Sequence, residues 1–232
     1  MICFLSLSHV GKLYKKLLEY IGVYMETKIV LIRHGESLAN AGGIYLGHTD
    51  WDLTEKGKMQ AETVANHLRN EKIDLIYSSD LIRAYNTALP HSKIHGLDII
   101  KSRELREIYL GKWEGKPLSE IEEKWQDEFI HGWRENFGTC QTPGGESVPH
   151  LANRIYEEVK RIARENEGKY IVIATHAAAI RAFWGKITKT PENEVAQKIP
   201  FPQNASCTTV KYKRGELIPV EYGFADYLNN IV

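Results

Sequence analysis

Strand-like and helix-like segments alternate along this chain after Met25, and no other feature restricts its fold as strongly. Short apolar runs at 28–32, 74–77, 97–100 and 170–174 are typical of buried strands. Between the runs, apolar residues recur every three or four positions, which predicts amphipathic helices. Such alternation favours an α/β fold of three layers (α/β/α), with a mainly parallel sheet and helices on both of its faces.

Polar residues and a proline indicate where the predicted helices begin and end. Thr54 is expected to cap a helix whose apolar face lies within 61–68. The polar run 78–80 is expected to cap the next helix, which should stop near Pro90. A longer apolar stripe predicts a third helix that begins after Ser147.

The last part of the chain has a different pattern. After a predicted helix at 177–184, the segments 208–212 and 217–222 are strand-like and flank Arg214-Gly215. Two strands joined by a short turn of this kind predict a C-terminal hairpin at an edge of the sheet.

Aromatic residues are frequent in the segment 116–142. Four of them recur at intervals of four, as on one face of a helix: Trp125, Phe129, Trp133 and Phe137. Such a stripe is more typical of helix-docking core than of a substrate platform. If some of these rings line the mouth of a pocket, apolar or ring-bearing ligands would fit there.

Composition and charge argue against several classes of protein. A length of 232 residues fits one domain over 25–232, and 43% apolar residues are typical of a globular protein. Thirty basic and thirty acidic side chains cancel, which argues against a nucleic-acid partner. No apolar run is long enough to span a membrane, and the oligomeric state is left open.

Cysteine usage indicates the compartment in which the chain functions. The three cysteines, Cys3, Cys140 and Cys207, are odd in number, far apart and without the spacing of metal ligands. This usage predicts a reducing compartment, and we expect a cytoplasmic protein.

Residues 1–24 precede the first predicted strand and form a segment of their own. Their lysines follow the first apolar residues, which is the reverse of the order in a secretory signal. Either 1–24 is an N-terminal appendage with Met25 as the true start, or 9–24 is a basic amphipathic helix that docks on the domain or a membrane surface. Lysines and leucines at this density are common in ordinary helices, which favours the appendage.

Functional side chains recur at the ends of three predicted strands. Arg33 and His34 follow the first strand, Arg83 lies in the helix after the second, and His176 follows the fourth. Ligands of α/β sheets bind outside the carboxyl ends of the strands. Two histidines and two arginines are therefore expected to meet at one edge.

These residue types suit phosphoryl transfer. A neutral imidazole can attack phosphorus, and guanidinium groups can stabilise the negative charge of a phosphoryl group without a metal ion. Gly35, directly after His34, is expected to let the backbone turn tightly so that a ligand reaches main-chain N–H groups.

The order of these motifs resembles that of the histidine phosphatase superfamily, on its phosphoglycerate-mutase-like branch. The resemblance covers roughly 26–222 of the chain. It rests on several short blocks: 31–40, 47–50, 53–54, 78–83, 87–88, 105–107, 111–115, 144–147 and 175–176.

The resemblance implies a role for each matching residue. His34 would be the nucleophile that becomes phosphohistidine, and Glu107 would protonate the leaving oxygen and then activate water. Four side chains would bind the phosphoryl group: Arg33, Asn40, Arg83 and His176. Glu36 and Glu114 rank below Glu107 as the proton donor. No cofactor and no metal is implied, and the nine histidines form no short cluster with carboxylates that would indicate a metal hydrolase.

The resemblance implies a phosphatase that hydrolyses small-molecule phosphate monoesters. The alternative is a bisphosphoglycerate-dependent phosphoglycerate mutase, an isomerase. Mutases have a longer insert between the two histidines and a second arginine where this chain has Glu135 after Arg134. An acid there should repel the carboxylate of phosphoglycerate, which favours the phosphatase. A non-catalytic phospholigand sensor is disfavoured because His34 and Glu107 are both present.

One departure from the family pattern is visible. Relatives usually have glycine after the second histidine, whereas this chain has Ala177, followed by two more alanines. The added methyl group is expected to narrow the pocket and to lower its tolerance of bulky phosphates, without loss of chemistry. The physiological ester is left open among sugar phosphates, nucleotides, a cobamide precursor and small phospho-metabolites.

Overall fold

The computed structural model describes residues 25–229, and its main element is a six-stranded sheet. In chain order the strands are β1 (Thr27–Arg33), β2 (Ile44–Tyr45), β3 (Leu75–Ser79), β4 (Ile99–Ser102), β5 (Lys116–Pro117), β6 (Tyr170–Thr175), β7 (Cys207–Lys213) and β8 (Glu216–Phe224). The large sheet has the order β4-β3-β6-β1-β7-β8, and β2 pairs with β5 separately. The expectations for 1–24 lie outside the described residues.

The sheet is mainly parallel, as the alternation predicts. β4, β3, β6 and β1 run in one direction, whereas β7 is antiparallel to β1, and β8 to β7. β7 and β8 form the predicted hairpin at one edge of the sheet. β1 is hydrogen-bonded on both sides, so the strand that leads to the candidate site is held in place by two neighbours.

Helices cover the connections between the strands. The α-helices are α1 (Leu38–Ala41), α2 (Glu55–His67), α3 (Ile82–His95), α4 (Leu118–Lys124), α5 (Val148–Glu165), α6 (Ala177–Ile187) and α7 (Val195–Lys198). The predicted cap of α2 and the predicted start of α5 after Ser147 are both confirmed. Thr54 accepts a hydrogen bond from the N–H of Gly57 at 2.9 Å, and Ser147 accepts one from the N–H of His150 at 3.2 Å.

Alternate side chains of β1 enter two hydrophobic cores, one on each face of the sheet. Ile29 and Leu31 pack with residues of α5 and α6, whereas Val30 and Ile32 pack with residues of α2 and α3. A strand buried on both faces needs a continuous apolar run, which β1 has. The predicted three-layer architecture is confirmed. No helix within 25–229 has the length and apolar character needed to cross a bilayer.

Two predictions about α3 are wrong. Pro90 lies inside the helix, which continues to His95 and ends at Gly96 with a left-handed φ of 65°. Packing of α3 against α2 and β3 outweighs the hydrogen bond that the proline removes. The run 78–80 does not cap the helix either, because the carboxylate of Asp50 accepts from the N–H of Ile82 at 2.8 and 3.0 Å.

The aromatic segment is not one helix face, in contrast to the prediction. α4 ends at Lys124, and a π-helix over Glu128–Glu135 and a 3-10 turn over Phe137–Thr139 follow. The expected core role is confirmed: Phe129, Trp133 and Phe137 are buried and Trp125 packs against them. Phe129 and Trp133 each contact Trp113 edge to face, and Trp133 contacts Phe137 in the same way, so these rings share one core without lying on one helix face.

Candidate active site

The candidate active site lies at the carboxyl ends of β3, β6 and β1, which are neighbours in the sheet. β1 ends at Arg33 and is followed by His34, β3 leads to Arg83 in α3, and β6 leads to His176 before α6. The rings of His34 and His176 are edge to face, with centroids 5.2 Å apart. The residues predicted at three separate strand ends are therefore brought together.

His34 is held in one tautomer. Its Nδ1 lies 2.7 Å from the carbonyl oxygen of Gly35. Because a carbonyl oxygen only accepts, Nδ1 carries the proton and Nε2 keeps its lone pair. Burial, together with the positive charges of Arg83 and Arg33, holds the pKa of His34 well below its ordinary value of 6.5. The imidazole is therefore neutral at physiological pH.

Gly35 has a different role from the one predicted. Its N–H donates to the hydroxyl of Thr87 at 3.0 Å, so this main-chain donor is used within the protein. A Cβ atom at this position would lie 2.3 Å from the carbonyl oxygen of Gly57 in α2. Glycine is needed because the turn after β1 touches the backbone of α2.

Arg33 is anchored by a loop that precedes β7, residues 199–206. Its Nη1 donates to the carbonyl oxygen of Pro202 at 2.6 Å, while its Nε is buried without a hydrogen-bond partner among residues 25–229. Burial lowers the pKa of Arg33 to about 10, and the carboxyl group of Glu107 opposes that shift. The guanidinium group stays positively charged at neutral pH.

Asn40 is oriented so that it can donate. Its Oδ1 accepts hydrogen bonds from the N–H of Ser37 at 3.1 Å and from Nδ2 of Asn204 at 3.2 Å. The same Nδ2 of Asn204 also donates to the carbonyl oxygen of His34 at 3.0 Å. Because the oxygen of the Asn40 amide is occupied in this way, its NH₂ group is the end that is left for a ligand.

Arg83 is almost completely buried, with 2% of its surface exposed. Its guanidinium group donates to the carbonyl oxygens of Gly47 at 2.8 Å and Thr49 at 3.1 Å, and it lies 3.7 Å from the carboxylate of Asp50. Burial lowers the pKa of Arg83, and the carboxyl groups of Glu107 and Asp50 oppose that shift. The loop after β2 therefore fixes a buried cation beside the two histidines.

His176 has an unsatisfied nitrogen. Its Nε2 lies 2.9 Å from the hydroxyl of Ser79, whereas its Nδ1 is buried without a hydrogen-bond partner among the residues that the structure describes. Burial and the charge of Arg83 hold the pKa of His176 well below 6.5. Buried polar atoms normally have partners, so this nitrogen is unusual, although His176 itself is fully buried behind the residues that line the cavity.

Glu107 lies across the N-terminus of α6. Its carboxylate accepts hydrogen bonds from the N–H groups of Ala178 and Ala179, both at 3.1 Å, and from that of Ile108 at 3.0 Å. The first turn of a helix favours a negative charge, which explains why the carboxylate rests there.

Arg154 of α5 makes several hydrogen bonds to the turn that carries Glu107. The guanidinium group donates to the carbonyl oxygens of Glu104 at 2.7 Å, Arg106 at 3.0 Å and Glu107 at 3.2 Å. It also pairs with the buried carboxylate of Glu146 at 2.8 Å. Four acceptors on one arginine hold the backbone of the Glu107 turn to the body of the protein.

The other two candidate acids are occupied elsewhere. Glu36 accepts from the hydroxyl of Thr54 at 2.9 Å. Glu114 accepts from the N–H of His48 at 2.7 Å and from the hydroxyl of Thr49 at 3.0 Å. Both residues brace loops, whereas Glu107 lines the cavity at the strand ends.

The cavity has a volume of about 330 Å³. Its polar lining comes from Arg33, His34, Ser37, Asn40, Arg83 and Glu107. Ala177 also lines it, at the position where its methyl group was expected to narrow the pocket. Within 25–229 there is no group of three or more His, Cys, Asp or Glu side chains arranged to hold a metal ion.

Some residues of the site gave little signal in the sequence. Asn204 and Pro202 lie in a loop without strand or helix periodicity, far along the chain from the residues they contact. Ser79 was assigned to a helix cap, yet its hydroxyl contacts His176. The two prolines around Phe201 were the one local hint that this loop is rigid.

The family of this chain follows from comparison with known proteins. A family model described as histidine phosphatase superfamily (branch 1) matches residues 29–224. The chain belongs to this superfamily. Phosphoserine phosphatase 1 of Hydrogenobacter thermophilus is 36% identical over 157 residues, which are 68% of this chain and 74% of that relative.

Two further relatives extend the comparison of this histidine phosphatase. The metal-independent phosphoserine phosphatase of Arabidopsis thaliana is 35% identical over 166 residues, 70% of this chain and 69% of the relative. The solved structure of Bacillus stearothermophilus YhfR has a TM-score of 0.82 at 28% identity and covers 88% of this chain and 100% of its own. Relatives named as phosphoglycerate mutases match as well. The family and the phosphatases among these relatives identify the chain as a phosphoric monoester hydrolase.

Proposed function

We propose that this histidine phosphatase hydrolyses small phosphate monoesters without a metal ion, through a phosphohistidine on His34. The observation that carries the proposal is the hydrogen bond from Nδ1 of His34 to the carbonyl oxygen of Gly35, which leaves the Nε2 lone pair free. His34 lines the same cavity as Arg83 and Glu107, so nucleophile, cation and acid are within reach of one ligand.

In the first step, Nε2 of His34 forms a bond to phosphorus while the bond from phosphorus to the ester oxygen breaks. Glu107, in its protonated form, gives its proton to that oxygen, and the alcohol leaves. In the second step, the Glu107 carboxylate takes a proton from water. The water oxygen bonds to phosphorus, the bond from nitrogen to phosphorus breaks, and inorganic phosphate leaves with His34 neutral again.

Fixed donors around His34 supply the charge stabilisation that the steps need. Arg33 and Arg83 are positively charged, and the NH₂ group of Asn40 and the unpartnered Nδ1 of His176 can donate to phosphoryl oxygens. Preorganised cations of this kind take the place of a divalent metal. The relative from Arabidopsis that is named as metal-independent supports this part of the proposal.

Hydrolysis is favoured over the mutase reaction by the surroundings of Arg134. Its Nη2 pairs with the carboxylate of Glu122 at 2.7 Å. The next residue, Glu135, is an acid that pairs with His131 at 2.8 Å. Because Arg134 is already paired and is followed by the negatively charged Glu135, this segment should bind the carboxylate of phosphoglycerate poorly.

Trapping the phosphoenzyme tests the nucleophile. Acid-labile phosphate should appear on the protein during turnover, and His34→Ala should abolish both the label and hydrolysis. His95→Ala is the matched control, because His95 lies at the opposite end of α3 from Arg83, and it should keep both. A label that persists in His34→Ala would contradict the assignment.

Two further assays test the reaction class. Hydrolysis should be unchanged by a chelator, because arginines take the role of a metal ion. Isomerisation of 3-phosphoglycerate should stay negligible with bisphosphoglycerate present. Activity that a chelator abolishes, or mutase turnover that exceeds hydrolysis, would overturn the proposal.

A further inference from the structure

Beside its polar residues, the cavity has a wall of apolar side chains. Seven side chains form this wall: Ile44, Tyr45, Leu46, Ile108, Leu110, Trp133 and Phe201. A phosphoryl group held by the arginines would direct the alcohol part of an ester towards them. Apolar walls stabilise apolar groups by removing their surface from water.

Two of these side chains form a flat platform. The rings of Trp133 and Phe201 are stacked, with centroids 5.9 Å apart and planes 26° from parallel. Phe201 is 40% exposed, which is unusual for a phenylalanine that already has a stacking partner. Phe201 lines this cavity and also a neighbouring pocket beside Arg134, so a ligand in the cavity can cover part of its exposed surface.

Arg181 holds the platform from behind. Its guanidinium carbon lies 4.2 Å from the ring centroid of Phe201 and 4.4 Å from that of Phe137. Its Nε donates to the carbonyl oxygen of Ile199 at 2.6 Å, and its Nη2 donates to that of Ala196 at 2.9 Å. The arginine is itself buried, so the loop that carries Phe201 is attached to a rigid support.

Charge on this side of the cavity does not suit an ester that carries a carboxylate. The arginines that line the cavity, Arg33 and Arg83, lie at the phosphate end. Arg134, next to Trp133, is paired with Glu122 and lies over the ring of Phe129. Arg181, behind Phe201, does not line the cavity and donates to main-chain carbonyl oxygens. Among the described residues that line the cavity, the apolar wall therefore offers no cation for a carboxylate. Removing a carboxylate from water without a cation is costly.

We propose that the preferred substrates are phosphate monoesters whose alcohol carries an uncharged aromatic ring, which stacks on Trp133 and Phe201. This inference rests on the phosphatase function proposed above and names the class of its leaving group. The bonds that form and break are those of that mechanism. The ring takes no part in them and contributes by orienting the ester.

Esters of similar intrinsic reactivity test the preference. 2-Phenylethyl phosphate, propyl phosphate and O-phosphoserine all release an alkyl alcohol, so differences in kcat/KM report on recognition. We expect 2-phenylethyl phosphate to exceed the other two by about ten-fold or more, as expected for an apolar ring that gains a matching surface. Equal values, or a preference for phosphoserine, would overturn the inference.

Variants of Phe201 test the platform itself. In Phe201→Ala, the ratio of kcat/KM for 2-phenylethyl phosphate to that for propyl phosphate should fall about ten-fold, and Phe201→Tyr should restore it. Ile100→Ala, which removes a side chain with 41% exposure on β4, is the control and should leave the ratio unchanged. A ratio that is unchanged in Phe201→Ala would contradict the platform.

The two proposals fail in different ways. If no ester is hydrolysed, or if His34→Ala is as active as the original protein, the phosphatase mechanism is wrong. If all three esters are hydrolysed with dependence on His34 and without preference for the ring, only the proposed substrate class is wrong.

Discussion

The hydroxyl of Ser79 is the hydrogen-bond partner of Nε2 of His176. Its hydroxyl oxygen accepts from the N–H of Leu81 at 3.4 Å and lies 2.9 Å from Nε2 of His176. We expect the hydroxyl to donate to Nε2, in which case Nδ1 is the protonated nitrogen. Nδ1 then has the hydrogen that a phosphoryl oxygen would accept.

Ser79→Ala should therefore lower kcat/KM by about ten-fold, which corresponds to one lost hydrogen bond. The tautomer of His176 should change with it, as nitrogen chemical shifts of the ring would show. Ser78→Ala is the matched control, because the hydroxyl of Ser78 donates to the main chain and not to a histidine. Unchanged nitrogen shifts in Ser79→Ala would exclude a positioning role.

The contact between β1 and α2 places His34. Glycine occupies both sides of this contact. A Cβ atom on Gly57 would lie 2.0 Å from the carbonyl oxygen of Glu36, and a Cβ atom on Gly35 would lie 2.3 Å from the carbonyl oxygen of Gly57. Neither position tolerates a side chain while the two elements keep their distance. His34, the proposed nucleophile, is thus positioned by the packing of a strand end on a helix.

Gly35→Ala should lower the free energy of unfolding by about 2 kcal/mol, because the new methyl group forces β1 and α2 apart. Activity should fall as well, since His34 directly precedes this glycine. Gly42→Ala is the control: its φ is −87° and its Cβ would meet nothing nearer than 3.4 Å. Denaturant unfolding would measure both, and equal stability of the two variants would contradict the packing argument.

Local patterns predict the strand ends and fail where distant segments meet. β1, β3 and β6 are visible because strands buried on both faces need continuous apolar runs. The cap of α3 was misassigned because its acceptor, Asp50, belongs to another loop. The contact between Arg33 and the loop at Pro202 could not be predicted for the same reason. A single hydrogen bond between segments far apart in the chain leaves no periodic pattern in the sequence.

The acid stability of the whole molecule should depend on a histidine outside the site. His91 of α3 is fully buried, and neither ring nitrogen has a hydrogen-bond partner within residues 25–229. Burial lowers the pKa of His91 to about 3, and repulsion from His95 adds to this shift. The folded protein keeps this imidazole neutral, whereas an unfolded chain binds a proton below about pH 6.5.

Because only the unfolded chain binds this proton between about pH 6.5 and 3, the free energy of unfolding should fall as the pH falls through that range. His91 alone should contribute a loss of about 2 kcal/mol between pH 7 and pH 5. In His91→Leu, the free energy of unfolding should fall by about 2 kcal/mol less over the same pH range. The pH dependence that comes from His34 and His176, whose pKa values are also lowered, should remain. Denaturant unfolding at several pH values would measure it, and an unchanged slope would point to other groups.

β1, which leads to the proposed nucleophile, is synthesised long before β6 and β7, the strands that lie on either side of it in the sheet. Within residues 25–229 β1 pairs with β6 and β7, and Arg33 and His34 are hydrogen-bonded by Pro202 and Asn204, which lie 169 and 170 residues further along the chain. Contacts so distant along the chain form slowly. A nascent chain is therefore expected to carry His34 without these contacts, and to gain phosphatase activity only after residues 202–204 have been synthesised.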